Sequence, residues 1–347
     1  MIELAVVGAG HWGPNLINNF SVSGRSRVRF VVDRDAQRLA AVRGRFSSVE
    51  VLTDFQVALD DPEVDAVVIA TPTSTHFELA HRALSKGKHV LVEKPLTDSV
   101  ATSRELCELA ESQGRVLMAG HVFLYNEAAR RVRDYIEGNE LGRIYYISMV
   151  RTNLGPIRTD VDAAWDLAAH DISLAGFWLG GLPNRVSAAG GEFINAGIAD
   201  VIFATLRYPG GVLVNLHASW LNPRKSRDIT VVGERKMLTF DDVNLEAPIR
   251  LHDKQVADSQ AVNPVVAPEL IDSFSSFRTS IHLGEVTEPD VPRNEPLRNE
   301  CEHFLDCVLG EATPISDGRS GLAVVRVLEA ISTSMREGGR EVEVAGE

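Results

Sequence analysis

The chain has 347 residues, 44% of them hydrophobic and 24% charged, with a formal net charge of −13. That length favours two domains over a single core, and that charge excludes a global field drawing the protein onto phosphate backbones or anionic membranes. No run of about 18 apolar residues offers a membrane span, and Met1 leads into a strand pattern without a basic and then apolar leader, so a cytoplasmic protein is expected.

The first apolar run ends in GAGHWGPN, with Gly8, Gly10 and Gly13 following a strand and Pro14 in the first turn of a helix. In a βαβ unit such glycines make the turn, let the backbone approach a pyrophosphate, and let helix pack on strand. His11 and Trp12 lie inside this loop and join the expected cofactor contacts. The confirming feature is an acidic residue ending the next strand, and Asp33 closes VRFVVD. Its carboxylate would accept the ribose hydroxyls and repel a 2′-phosphate, which favours NAD over NADP, with Arg34 beside it weakening the preference.

Up to about residue 123, the runs IELAVVG, VRFVVD, DAVVIATP, HVLVEKP and RVLMAGHVF alternate with helical patterns stopped by glycines. Near-continuous apolar strands separated by helices predict a doubly wound parallel sheet. ATPTSTHFE places Thr71 and Pro72 at a strand's carboxyl end, beside the cofactor crevice, while Thr75 and Glu78 fit a capping box. His76 reads as an ordinary first-turn histidine. VLVEKPLT ends a buried strand in Glu93-Lys94-Pro95. A buried ammonium needs a partner, so Lys94 is expected either to seal the sheet end with Glu93 or to donate to a substrate hydroxyl and favour its alkoxide.

From Glu127 the rhythm changes to one helix, the strand RIYYISMVRT, an apolar helix and a series of hairpins. This predicts an α+β domain on a mostly antiparallel sheet, with turns at Pro209–Gly211 and between DITVVG and KMLTFDD. Residues 251–292 are acidic, proline-bearing and weakly periodic, and read as long loops or an edge ribbon. In WDLAAHDISLAGFWLG, Asp166 and His170 stand four apart, on one face of a regular helix. A carboxylate there would orient the ring and raise its basicity, as a general base requires. Asp171 lies on another face. Cys107, Cys301 and Cys307 are an odd set without metal-like spacing; they read as reduced thiols, and no metal site is expected.

The ordered set GAGHWG, Asp33, TPTSTH, EKP, GHVFLYN, the helical Asp-x-x-x-His, PLRNECEHFLDC and PISDGRSGL resembles the Gfo/Idh/MocA family of NAD(P)-dependent oxidoreductases. The resemblance implies a Rossmann domain, here residues 1–124, and a substrate-binding and oligomerisation α+β domain with an open-faced sheet, here 125–347, with dimers or tetramers formed through that sheet. It implies a cis proline after Lys94, and alcohol–ketone chemistry by Lys94, Asp166 and His170. The commonest form of the helical motif has an acid three places after the histidine, where this chain has Ser173.

GHWGPNLINNF, GHVFLYNEAARRV and NLGPIRTDVDAAWDLAAHD are more similar to the branch oxidising nucleotide sugars at C3, which includes UDP-N-acetylglucosamine and UDP-N-acetylglucosaminuronate 3-dehydrogenases. A diphosphate substrate would need local cations, and Arg151, Arg158, Arg224, Lys225 and Arg227 are candidates, with Asn153 as a sugar contact. The expected activity is therefore NAD-dependent oxidation of a pyranose hydroxyl. The alternatives are an NADPH-dependent ketosugar reductase and, less favoured, a non-catalytic NAD-binding regulator of the same fold.

Overall fold

The computed structural model describes residues 1–256, 281–344 and 346. Strands β1 (Ile2–Val7), β2 (Ser26–Val32), β3 (Glu50–Leu52), β4 (Ala66–Ile69), β5 (His89–Glu93) and β6 (Leu117–Gly120) form one sheet in the order β3-β2-β1-β4-β5-β6. Every neighbouring pair is parallel. The strand order reverses between β1 and β4, and a ligand crevice opens outside the carboxyl ends at such a switch point. β3 is a short edge strand that none of the five apolar runs contains.

Helices α1 (Gly13–Val22), α2 (Ala36–Arg45), α3 (Phe55–Asp60), α4 (His76–Ser85) and α5 (Val100–Gln113) connect these strands. Each entry has a local cause. Pro14 sits in the first turn of α1, where a missing N–H costs nothing. Asp35 caps α2 by accepting from the Gln37 and Arg38 N–H groups, and Ser99 caps α5 through Thr102. The capping box expected at Thr75 does not form. A single 3₁₀ turn over Thr73–Thr75 precedes α4, and the Thr75 hydroxyl turns back to Thr71 Oγ1 and Pro72 O, each at 2.7 Å.

The second sheet has nine strands, in the order β14-β13-β12-β11-β7-β10-β9-β8-β15. They are β7 (Ile144–Leu154), β8 (Arg185–Gly191), β9 (Val201–Arg207), β10 (Leu213–Ser219), β11 (Leu221–Gly233), β12 (Met237–Asp241), β13 (Ile249–Val256), β14 (Ile281–Thr287) and β15 (Val342–Glu343). Among the described residues of this sheet only β7 and β10 pair in parallel, so the sheet is mixed and mostly antiparallel. Both expected hairpins are present, the first turning at Pro209–Gly211. β13 and β14 make the edge ribbon expected near residues 251–292, and the rest of that stretch, 257–280, lies outside the described residues.

Helices α6 (Glu127–Glu137), α7 (Ala169–Leu179), α8 (Pro296–Val308) and α9 (Gly318–Arg336) complete the described chain. α7 and α9 cover the inner face of the second sheet, and α9 also returns to β6 and α5. Glycine permits that return: a Cβ on Gly318 would lie 2.8 Å from Leu117 Cδ2. The Ala119 N–H donates to Ser316 O at 2.7 Å, and Arg25 binds Glu302 and Asp306 of α8. The three cysteines are buried free thiols. Among the described residues no helix is long and apolar enough to cross a membrane.

Candidate active site

A cleft of about 880 Å³ runs along the carboxyl ends of β1, β2, β4 and β5. At one end is the glycine loop. Gly8 has φ +99, and a Cβ there would lie 2.6 Å from Ala70 O; a Cβ on Gly13 would lie 2.1 Å from Gly8 O. The first and third glycines are therefore required by the turn itself. Gly10 differs, because its nearest neighbour in that direction is Arg38 Nη1 at 3.6 Å. Its open face is the cradle that a pyrophosphate needs, with the N-terminus of α1 behind it. His11 and Trp12 also line the cleft, their rings in an edge contact at 5.8 Å.

Asp33 ends β2 on the same wall. Its carboxylate accepts from Ala9 N at 2.7 Å and Asp35 N at 2.8 Å, so its position is fixed by backbone on both sides. Arg34 lines the cleft beside it, and so does Arg38, whose Nη1 is 3.7 Å from Asp33 Oδ2. Sequence reasoning missed Arg38. It stands in the first turn of α2, and only the fold lays it across the glycine loop. Thr71, Pro72 and Glu93 line the cleft further in. The residues present thus fit a dinucleotide along this wall, from the open face of Gly10 to Lys94.

Lys94 and Asp166 line the inner end of the cleft. The Lys94–Pro95 bond is cis, and this turn is braced from behind by a residue the sequence made look ordinary. His76 is buried, with Nδ1 2.9 Å from Pro95 O and Nε2 2.9 Å from Thr71 O. Lys94 Nζ donates to Asp166 O at 2.6 Å and to its Oδ1 at 3.4 Å. The lysine thus does not seal the sheet end with Glu93. Burial pushes its ammonium below the usual lysine range, against the pull of Asp166 and Glu93. Burial raises the Glu93 carboxyl to about 7.

Asp166 corrects the sequence reading. It lies in a π-helical turn, Ala164–Ala168, that precedes α7. In this wider turn, bonded i to i+5, the four-residue spacing no longer aligns the two side chains. The carboxylate accepts from Arg158 Nη1 at 3.1 Å and from the Trp220 indole at 3.1 Å, beside Lys94. It makes no hydrogen bond to His170. Burial opposes its ionisation, but Lys94, Trp220 and Arg158 outweigh burial and hold the carboxyl below its ordinary range.

His170 sits instead on Phe123, in an edge contact at 4.8 Å, with Nδ1 buried and unpartnered. Burial, then the charges of Lys94, Arg151, His121 and Arg227, keep its pKa well below the ordinary imidazole value. It is a neutral base among cations, not a base raised by a carboxylate.

Arg151 is also corrected. It is 2% exposed, donates to Asp171 Oδ1 from Nε at 2.8 Å and from Nη2 at 2.6 Å, and stacks over Phe123. A guanidinium so committed ties α7 to the sheet and is not free to take substrate. Asn153 links Arg227, which donates to its Oδ1 at 2.9 Å, to Gly155 O, which its Nδ2 reaches at 2.6 Å.

Residues 2–121 match the model of the "oxidoreductase family, NAD-binding Rossmann fold", and residues 129–239 match the Gfo/Idh/MocA C-terminal domain. Inositol 2-dehydrogenase 2 of Paenarthrobacter aurescens is 30% identical over 226 residues, covering 62% of this chain and 68% of that protein. The chain belongs to the Gfo/Idh/MocA family. UDP-N-acetylglucosamine 3-dehydrogenase of Acidithiobacillus ferrooxidans is 26% identical to this Gfo/Idh/MocA protein, covering 93% of this chain and 94% of the relative. The crystal structure of GenD2 from gentamicin A biosynthesis, in complex with NAD, superposes with a TM-score of 0.81 at 26% identity, covering 99% and 97% of the two chains. This Gfo/Idh/MocA chain is accordingly an NAD(P)-binding oxidoreductase.

Proposed function

We propose that the protein oxidises a secondary hydroxyl of a nucleotide-linked pyranose, at C3, with NAD as hydride acceptor. The observation that carries this reading is a buried lysine at the inner end of the cleft, held by Asp166, whose charge is felt at a neutral histidine, His170. His170 takes the hydroxyl proton, and its low basicity keeps the ring neutral and able to accept. Lys94 donates to the same oxygen and stabilises the charge that develops as the proton leaves. Asp166 holds the ammonium in place and keeps it charged. A bound nicotinamide supplies the hydride acceptor. The fixed Asp33 carboxylate supports NAD over NADP. Similarity to the UDP-N-acetylglucosamine enzyme over nearly the whole of both chains supports the substrate class.

We assign self-assembly to the uncovered face of the second sheet, where Phe203 and His217 are stacked at 4.4 Å and Leu213 and Tyr146 are exposed. The division into residues 1–124 and 125–347 is part of the same reading. The test of function is NADH formation with a panel of nucleotide sugars and their free sugars. Reading and test agree if a nucleotide sugar is turned over far better than its free sugar. Turnover of none of them would reject the reading.

A further inference from the structure

β7 and β11 are antiparallel neighbours, and their register sets Arg151 opposite Arg227. Residues two apart share a face, so Arg227 lies on the side of buried Ile229 and Val231, beneath the start of α7. The two guanidiniums are not equivalent. Arg151 has its counter-ion in Asp171. Arg227 is half-buried, and among the described residues it has no carboxylate within ion-pair distance. Its donors reach only neutral oxygens: Thr152 O at 2.9 Å, Ser226 O at 2.7 Å and Asn153 Oδ1 at 2.9 Å. Asp171, Asp242 and Asp166 stand within electrostatic range of it, but Asp171 is bonded to Arg151 and Asp242 accepts from Asn126 Nδ2 at 3.1 Å.

A desolvated cation without a counter-ion is costly unless something supplies the missing charge. The position of Arg227 says what. Its charge is felt at both His170 and Asp166, and it bonds Asn153, which holds Gly155 at the start of the loop bearing Pro156 and Arg158. Those two residues line the cleft alongside Lys94. Resting on the sugar-oxidation reading, we propose that Arg227, oriented by Asn153, binds an oxyanion of the substrate close to the reacting carbon. The group is a carboxylate on the sugar ring or a glycosyl phosphate, either of which its planar fork of donors matches.

Calorimetric titrations of NADH-saturated wild type, Arg227→Gln and Arg227→Lys test this, since NADH already fills the glycine loop. The probes are inorganic phosphate, UDP-N-acetylglucosamine, UDP-N-acetylglucosaminuronate and N-acetylglucosamine. Arg227→Gln should weaken anion binding roughly ten-fold or more, the scale of a lost hydrogen bond to a charged group. Arg227→Lys should lose less, because it keeps the charge without the fork. A loss confined to the uronate identifies the ring carboxylate, and an equal loss for both nucleotide sugars identifies the phosphate. NADH and N-acetylglucosamine should be unaffected; if their binding fell equally, Arg227 would be a structural brace and the proposal would fail. It also fails if Arg227→Gln binds every anion as wild type does, or if wild type binds none. Anion binding that depends on Arg227 without turnover of any sugar would reject sugar oxidation and leave the assignment of Arg227 standing.

Discussion

Lys94 Nζ lies 2.6 Å from the carbonyl oxygen of Asp166 and 3.4 Å from its carboxylate, so residues 72 apart in the chain share one charge centre. The cis turn after β5 presents the lysine, and the π-helical turn before α7 presents both oxygens. A donor used mainly as charge develops contributes to the barrier more than to ground-state binding. Lys94→Met should therefore reduce turnover by roughly 10²–10³ while changing NADH affinity little. Pre-steady-state rates beside fluorescence titration of NADH check both halves, and normal turnover would remove Lys94 from the chemistry.

If His170 is the base, the charges around it set the pH profile. A base is lost when it takes a proton, and burial with nearby cations places that event well below the ordinary value of 6.5. The kcat/KM for oxidation should thus remain flat as the pH falls through 6.5, with its acidic limb further down. His170→Asn should lower the rate by roughly 10²–10⁴. Asp166→Asn should act on the other limb: it removes a charge that holds the Lys94 ammonium protonated, so the alkaline fall should move to lower pH. An acidic limb at the ordinary histidine value would contradict the cationic setting.

The glycines separate turn from cradle. Gly13→Ala places a methyl 2.1 Å from Gly8 O and should destabilise the fold by roughly 1–3 kcal/mol. Gly10→Ala meets only the end of the Arg38 side chain. It should leave the urea midpoint unchanged and weaken NAD binding. Equal effects of the two substitutions on stability would overturn the distinction.

The choice of dinucleotide is tested at Asp33. If its carboxylate reads the ribose, wild type should bind NAD at least ten-fold tighter than NADP, about 1.4 kcal/mol. Asp33→Ala should narrow that gap, because Arg34 and Arg38 then face a 2′-phosphate with the Asp33 charge removed. Calorimetry with both cofactors decides it.

Two buried groups pull stability in opposite directions with pH. His121 has both ring nitrogens buried without partners, and burial lowers its pKa from 6.5 to about 4. Between those values the unfolded chain binds a proton that the native chain refuses, so stability falls on acidification. Glu93 is raised from 4.5 to about 7; there the native chain holds a proton that the unfolded chain has released, and stability rises on acidification. The contributions oppose each other in the overlapping window. Glu93→Gln should therefore lose stability faster than wild type between about pH 7 and about pH 5, and His121→Asn more slowly. Urea midpoints at the two pH values report this, and parallel losses in all three proteins would refute it.

Much of the first half was legible because its signals are local. Continuous apolar runs, glycines at fixed offsets and an acid at a strand's end each constrain backbone within a few residues, and the fold kept all of them. The hairpins of the second sheet were legible for the same reason, and so was the position of Lys94 at a strand's end. What local pattern could not reveal was where long side chains find their partners. The spacing of Asp166 and His170 assumed an α-helix, but a π-helical turn redirects the carboxylate to Lys94, Arg158 and Trp220. Arg151 looked available until Asp171 met it across the interior. Arg38 carried no motif at all, and nothing local showed that His76 braces the cis turn or that Arg227 bonds Asn153. Periodicity belongs to the backbone, whereas a buried charge is satisfied by whatever the packed chain brings within about 3 Å of it. Local pattern specified the cofactor fold and named the candidate residues; which of them meet is set by the packed interior, because pairing buried charges depends on chain segments far apart in sequence.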